Sequence, residues 1–195
     1  MRIIGGSRRS RRLVPWEETG IRPMRDFVRT ALFNILAELV PKARFLDLFC
    51  GTGSVGLEAL SRGAREAVFV DRSPGACGIV RRNLDLLEFL DVGRVVQADF
   101  AEGIDRLQRR GRRFDLAFVG PPYGKGLADL ALDLLGEGRL LAEGAVVVSE
   151  VRTGMELASS YGELQEIDRR TYGGNTLFFH RLSGIEAVGE KDDRR

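Results

Sequence analysis

The chain is poor in the residues that announce redox chemistry or metal binding. Its 195 residues include two cysteines, one histidine and one tryptophan. Cys50 and Cys77 form no metal-spaced motif, and two thiols are too few to staple a domain this large. A disulfide scaffold and a zinc module are therefore excluded, and a reduced, cytoplasmic protein without a metal is expected. The lone His180 lies in an apolar, strand-like context that suits a structural role better than catalysis. Long hydrophobic runs are missing as well, so no stretch approaches the length of a membrane span. The arginine-rich start lacks the apolar region of a secretory signal. Net charge is only +2 although 30% of residues are charged, so overall charge points to no particular partner. With 44% hydrophobic residues, the chain can bury one good core.

What is present is unevenly placed. Arg2, Arg8, Arg9, Arg11 and Arg12 cluster at the start with no acid among them, and Arg22, Arg25 and Arg29 follow. A basic N-terminal arm is the usual footprint of nucleic-acid binding, although such clusters also occur as plain solvated surface. Arg2-Ile3-Ile4, the turn signal Gly5-Gly6 and Arg12-Leu13-Val14 predict a short extended pair ended by Pro15. Residues 23–40 predict a helix whose apolar face carries Phe27, Ala31, Leu32, Ile35, Leu36 and Leu39, with Arg25 and Arg29 turned away from it.

From Arg44 strands and helices alternate. Strands are expected at 44–49, 67–71, 94–98, 115–119 and 145–151, with helices at 55–62, 74–88, 101–109 and 127–135 between them. Two further strands, 163–170 and 176–182, are joined through Tyr172-Gly173-Gly174-Asn175. This order implies an α/β fold, a mostly parallel, doubly wound sheet closed by an antiparallel hairpin. The expected organisation is an N-terminal basic hairpin and helix extension at 1–41, the main domain at 42–182 and a disordered tail at 183–195.

The stretch on which the rest turns is Phe45-Leu46-Asp47-Leu48-Phe49-Cys50-Gly51-Thr52-Gly53. An apolar run reaches an acid, then breaks into a glycine turn and a helix, the corner where open α/β sheets bind ligands. Taken alone, Gly51-x-Gly53 is as often an empty tight turn. Three more strand ends carry distinctive residues, namely Asp71, Asp99-Phe100 and Gly120-Pro121-Pro122-Tyr123, and in a doubly wound sheet all four share one rim. Gly51-x-Gly53-x-x-Gly56 formally fits a dinucleotide site, and Asp71 could take a ribose diol there too. An N-terminal helix before the first strand, an acid before the glycines and a Pro-Pro-Tyr loop do not belong to that pattern.

Asp47-Leu-Phe-Cys-Gly-Thr-Gly with the Pro-Pro-Tyr loop resembles S-adenosylmethionine-dependent methyltransferases that act on exocyclic amino groups. Arg2-Ile-Ile-Gly-Gly, Arg22-Pro23 with Asp26, Val28-Arg29, Leu32-Phe33-Asn34, Gly56-Leu-Glu-Ala-Leu-Ser-Arg-Gly63 and Tyr172-Gly173 narrow this to the RsmD-like family, over residues 1–182. The resemblance implies a Rossmann-like class I methyltransferase that modifies the 2-amino group of a guanine in small-subunit (16S) ribosomal RNA. It implies S-adenosyl-L-methionine as cofactor, with Asp47, Gly51 and Gly53 along its methionine part and Phe49 also among the residues that bind it. Asp71 would take the ribose hydroxyls, and Asp99 and Phe100 the adenine. Gly120, Pro121, Pro122 and Tyr123 would handle the target base. From the basic arm itself, Arg8, Arg9, Arg11, Arg12, Arg22, Arg25 and Arg29 are expected to contact the RNA. The expected partner is ribosomal RNA or a small-subunit assembly particle, with no membrane, for a chain acting as a monomer.

Two positions depart from the family pattern. Gly120 stands where Asp or Asn is usual, and Met24 where Thr is. Loss of one positioned electrostatic group costs about a hundredfold in rate, although the carbonyls of Gly120 and Pro121 remain as acceptors. Adenine-N6 DNA methylation, protein-glutamine methylation and a catalytically impaired cofactor- or RNA-binding homologue therefore stay open as alternatives.

Overall fold

The computed structural model describes residues 1–15, 24–122 and 126–183. Trp16, Arg22, Pro23 and Tyr123 lie outside them, as does the tail expectation beyond Ser183. Strands β1 (Arg44–Leu48), β2 (Glu66–Asp71), β3 (Gly93–Gln97), β4 (Phe114–Val119), β5 (Leu141–Arg152), β6 (Ser160–Tyr161), β7 (Leu164–Tyr172) and β8 (Asn175–Leu182) build one sheet in the order β3-β2-β1-β4-β5-β8-β7-β6. The first five pair in parallel, and β8, β7 and β6 add antiparallel. Strand order reverses between β1 and β4, which makes their carboxyl ends the switch point where such sheets bind ligands.

Side-chain alternation divides the core between the two faces of the sheet. Phe45, Phe69, Phe118 and Val148 pack on one side with helices α1 (Asp26–Ile35), α2 (Ser54–Ser61) and α3 (Pro74–Leu86). Leu46, Val70, Val119 and Val147 pack on the other with α4 (Phe100–Arg109) and α5 (Leu127–Glu137). Central strands covered on both faces explain the near-continuous apolar runs. The closing hairpin turns at Gly173-Gly174, and Gly173 takes the positive φ of 60° that such two-residue turns demand. The two-residue strand β6 is too short to leave a sequence pattern.

Two expectations are met only in part in the N-terminal region. The helix runs only over Asp26–Ile35, and a turn carries the chain on to Val40. Its buried face holds Val28, Arg29, Leu32 and Phe33, whereas Phe27 and Ile35 are exposed. Leu32 and Leu36 of the expected face do pack, but the buried stripe is turned towards Val28 and Phe33, which leaves Phe27, Ile35 and Leu39 exposed. The expected extended pair is also looser, with one bridge between Arg2 and Arg12 and a 3-10 turn at Gly6–Arg8.

This arm docks on α2 by buried hydrogen bonds. The Glu58 carboxylate, fully buried, accepts from the backbone N–H groups of Ile4 (2.8 Å) and Gly5 (2.7 Å) and from Arg62 Nε (2.8 Å). Ser61 Oγ accepts from Arg8 N at 3.0 Å and donates to the Gly5 carbonyl at 2.6 Å. Gly6 passes so close that a Cβ there would fall 1.8 Å from the Ser61 carbonyl oxygen. Ile3 and Leu13 thereby join the core of α1 and α2. Glu58→Ala takes a carboxylate from buried Arg29 and from Arg62 and leaves the Ile4 and Gly5 N–H groups without their acceptor. Breaking a buried pair in this way costs about 3–5 kcal/mol. Urea denaturation should show that loss, with Glu58→Gln losing less.

Candidate active site

Asp47 points into the α2 side of β1 and is 1% exposed. Its Oδ2 accepts the Gly56 N–H at 2.8 Å, which fixes the first turn of α2 under the glycine loop. A Cβ on Gly56 would meet the Phe69 ring at 2.4 Å and Asp47 Oδ2 at 3.1 Å, so only glycine lets the helix come this close. Burial first, then the neighbouring Asp71 charge, pushes the Asp47 carboxyl up to about 8 against the pull of the Gly56 N–H. Above it Phe49 (φ 59°), Gly51 (φ 51°) and Gly53 (φ 74°) turn the chain through left-handed conformations. For a phenylalanine that backbone is strained, and strain of this kind gathers at ligand-binding loops. Burial, reinforced by the Asp47 and Asp71 charges, pushes the Cys50 thiol well up, which keeps it a neutral thiol.

Three contacts draw the strand ends together. Asp71, last in β2, accepts the Gly51 N–H on Oδ2 at 2.9 Å and the Ser73 N–H on Oδ1 at 2.9 Å. The rings of Phe49 and Phe100 meet at 5.0 Å between centroids, tying the end of β1 to the start of α4. The Gly120 N–H reaches the Leu48 carbonyl at 3.4 Å, tying β4 to β1. Asp99 is exposed and caps α4 through Ala101 N at 3.1 Å. Asp47, Phe49, Gly51, Gly53, Asp71, Asp99, Phe100 and Gly120 thus lie around one rim, with buried Pro121 and exposed Pro122 following.

Comparison with known proteins now decides the family. The family model described as Conserved hypothetical protein 95 matches residues 1–181. Ribosomal RNA small subunit methyltransferase D of Escherichia coli K12 is 34% identical, across 98% of this chain and 93% of its own length. YlbH of Bacillus subtilis is 35% identical, across 94% of this chain and the whole of its own. The solved structure of E. coli yhhF superposes with a TM-score of 0.81 at 31% identity, covering 94% of this chain and 98% of that one. The chain belongs to the RsmD-like methyltransferase family. Its sheet order is the class I methyltransferase fold of that family.

Of the arginines expected to contact RNA, one must be withdrawn. Arg29 is fully buried, donating to the Arg2 carbonyl at 2.6 Å and to Asp26 Oδ1 at 3.1 Å, with Nε 3.9 Å from Glu58. Its guanidinium ties the arm to α1 and α2, and although Asp26 is three residues away, Arg2 and Glu58 lie too far along the sequence to leave a local signal. Arg8 is half-committed, with Nε on the Leu87 carbonyl and a terminal nitrogen on Glu88, and Arg11 donates to the Leu86 carbonyl. Arg9, Arg12 and Arg25 are exposed.

One residue on the rim escaped the sequence reading. Glu150, near the end of β5, is 9% exposed and accepts a hydrogen bond from the Asn175 side-chain amide. Burial pushes its carboxyl up, and Asn175 draws it down. Like Asp71 it follows a valine-rich run, but β5 continues two residues beyond it.

The raised Asp47 carboxyl sets a pH dependence. With a folded value near 8 and an ordinary one of 3.8, the folded protein binds this proton more tightly than the unfolded chain. Its contribution to stability is complete below about pH 4 and is lost as pH rises towards 8. Asp47→Asn keeps an acceptor for Gly56 and removes the titration. Urea midpoints taken in steps across that window should fall less steeply for the variant than for the wild type.

Proposed function

We propose that this chain transfers a methyl group from S-adenosyl-L-methionine to the exocyclic 2-amino group of a guanine in small-subunit (16S) ribosomal RNA, as a cytoplasmic monomer. The observation that carries the reading is the joining of four strand ends into one rim by the Asp71–Gly51, Phe49–Phe100 and Gly120–Leu48 contacts. The membership of a family that includes an rRNA small-subunit methyltransferase supplies the class of acceptor.

The rim residues fit the cofactor by their chemistry. The glycine loop brings bare backbone to the site. Each Asp71 oxygen spends one lone pair on a backbone N–H, which leaves acceptors for two ribose hydroxyls. Exposed Asp99 offers acceptors to an amino group, and the paired Phe49 and Phe100 rings offer an apolar wall for an adenine. Bound there, S-adenosylmethionine supplies an electrophilic methyl. The chain's own task is to hold the amine in line with it. A guanine 2-amino lone pair is delocalised into the ring, and acceptors around its N–H bonds return density to nitrogen. The Gly120 and Pro121 carbonyls serve in that role. The target base must leave its stack to reach the rim, as for other base-modifying enzymes. Tyr123, expected to stack on it, lies outside the described residues.

The impaired-homologue reading is kept because Gly120 lacks a side-chain acceptor, and the structure makes that glycine hard to replace. A Cβ at 120 would fall 2.7 Å from the ring of buried Phe118, so an aspartate there requires the ring to move.

Tritium from labelled S-adenosylmethionine should appear in naked or partly assembled small-subunit RNA, as N2-methylguanine on digestion. Label in DNA or protein overturns the reading, and cofactor binding without transfer favours the impaired homologue. The exposed arm is the RNA-facing element of this reading. Replacing both Arg9 and Arg12 with Gln should weaken RNA binding and lower the slope of log affinity against log salt by about 0.7–0.9 for each phosphate no longer neutralised. An unchanged slope in filter-binding titrations removes the arm from the interface.

A further inference from the structure

We infer that Glu150 reads the Watson–Crick edge of the target guanine, accepting its N1–H and one N2–H on the two carboxylate oxygens. The inference deepens the guanine-N2 reading above and rests on it.

Position comes first. Strands β4 and β5 pair in parallel with Phe118 beside Val148 and Val119 beside Ser149, so the next row along the rim sets Glu150 beside Gly120. Paired residues in adjacent strands face the same way and lie about 4.8 Å apart. Val146 and Val148 pack on the α2 face while Val147 and Val151 pack on the other, which puts Glu150 on the α2 face. Phe118 is on that face too, directly beside Asp47 in the β1–β4 register. Glu150 therefore stands one strand beyond the glycine that opens the Pro-Pro loop, on the side of the sheet from which the glycine loop and α2 rise. Gly120 contributes no side chain to screen it.

Chemistry comes second. A buried carboxylate needs donors. Ionised, it has about four lone-pair sites and no donor of its own, and among the described residues the hydrogen bond from Asn175 fills one of them. Guanine presents two adjacent, parallel donors, N1–H and N2–H. Adenine and cytosine each place a ring acceptor next to the amino group, and a carboxylate oxygen facing that lone pair is repelled. One acceptor-only group beside the transfer site thus selects guanine and also holds one N–H of the reacting amine, which orients its lone pair towards the methyl. A site built to meet a donor rejects an analogue lacking it far more strongly than apolar contact can.

The test exchanges one donor for one acceptor. Once the methylated nucleotide is mapped, RNA is prepared by ligation with 2,6-diaminopurine at that single position, which keeps the 2-amino group and turns N1 into an acceptor. Wild type should favour guanine by roughly a hundredfold in kcat/KM. Glu150→Gln still offers Asn175 an oxygen acceptor and can donate to N1 of diaminopurine, so the ratio should narrow by at least tenfold or invert. Calorimetric titration with S-adenosylhomocysteine should find cofactor affinity unchanged in that variant. Equal loss on both substrates, with the ratio unmoved, overturns the inference. So does a wild-type enzyme that methylates the two RNAs equally, a readout that does not require the variant to fold. Absence of N2-methylguanine from wild-type reactions on natural RNA is a separate outcome and fails the guanine-N2 reading itself.

Discussion

The hydrogen bond from Gly56 N–H to the buried carboxyl of Asp47 is the contact on which the architecture depends. It holds the first turn of α2 against β1 at a distance that only a glycine permits, with the Phe69 ring as the wall. The glycine loop is suspended above that turn, and the residues that grip the N-terminal arm, Glu58 and Ser61, lie further along the same helix. A carboxyl withdrawn from water in this way favours its protonated form. Rigidity at the loop is thus obtained by placing an acid where water cannot reach it, and the electrostatic consequence is borne by folding.

The same helix explains why two motifs far apart in the sequence occur together. Arg2-Ile3-Ile4-Gly5-Gly6 and the run from Gly56 to Gly63 are two halves of one joint. Ile4 and Gly5 offer backbone donors to Glu58, Ser61 bonds both Gly5 and Arg8, and Gly6 is bare because the Ser61 carbonyl occupies the space of a side chain. Arg29 closes the joint from α1 through the Arg2 carbonyl. What reads as a basic arm is therefore partly an internal fastening, and its exposed arginines are presented on a fixed support.

The alternation of strands and helices and the rim of strand-end residues were legible because both follow from local patterns: apolar runs of strand length, glycines after them and acids at their ends. Legibility failed where the deciding partner is remote. Phe27, Ala31 and Ile35 make as good an apolar stripe as Val28, Leu32 and Phe33, and only the arm and α2 choose between them. Arg29 reads as a surface cation until its carbonyl and carboxylate partners are known. Glu150 follows a similar run, Val-Val-Val-Ser-Glu against the Val-Phe-Val-Asp that announced Asp71, but Val151 and Arg152 carry the strand past it, so it does not read as a strand end. Its place beside Gly120 comes from register, which a single sequence does not disclose.

Helix α2 has one further consequence. It spans eight residues, about 12 Å of rigid rod, with the glycine loop at one end and the arm clamped near the other. The exposed arginines of the arm and the rim of strand ends are then held at a set separation, like the jaws of a caliper. That separation is fixed by the length of one helix rather than by the loops on either side of it.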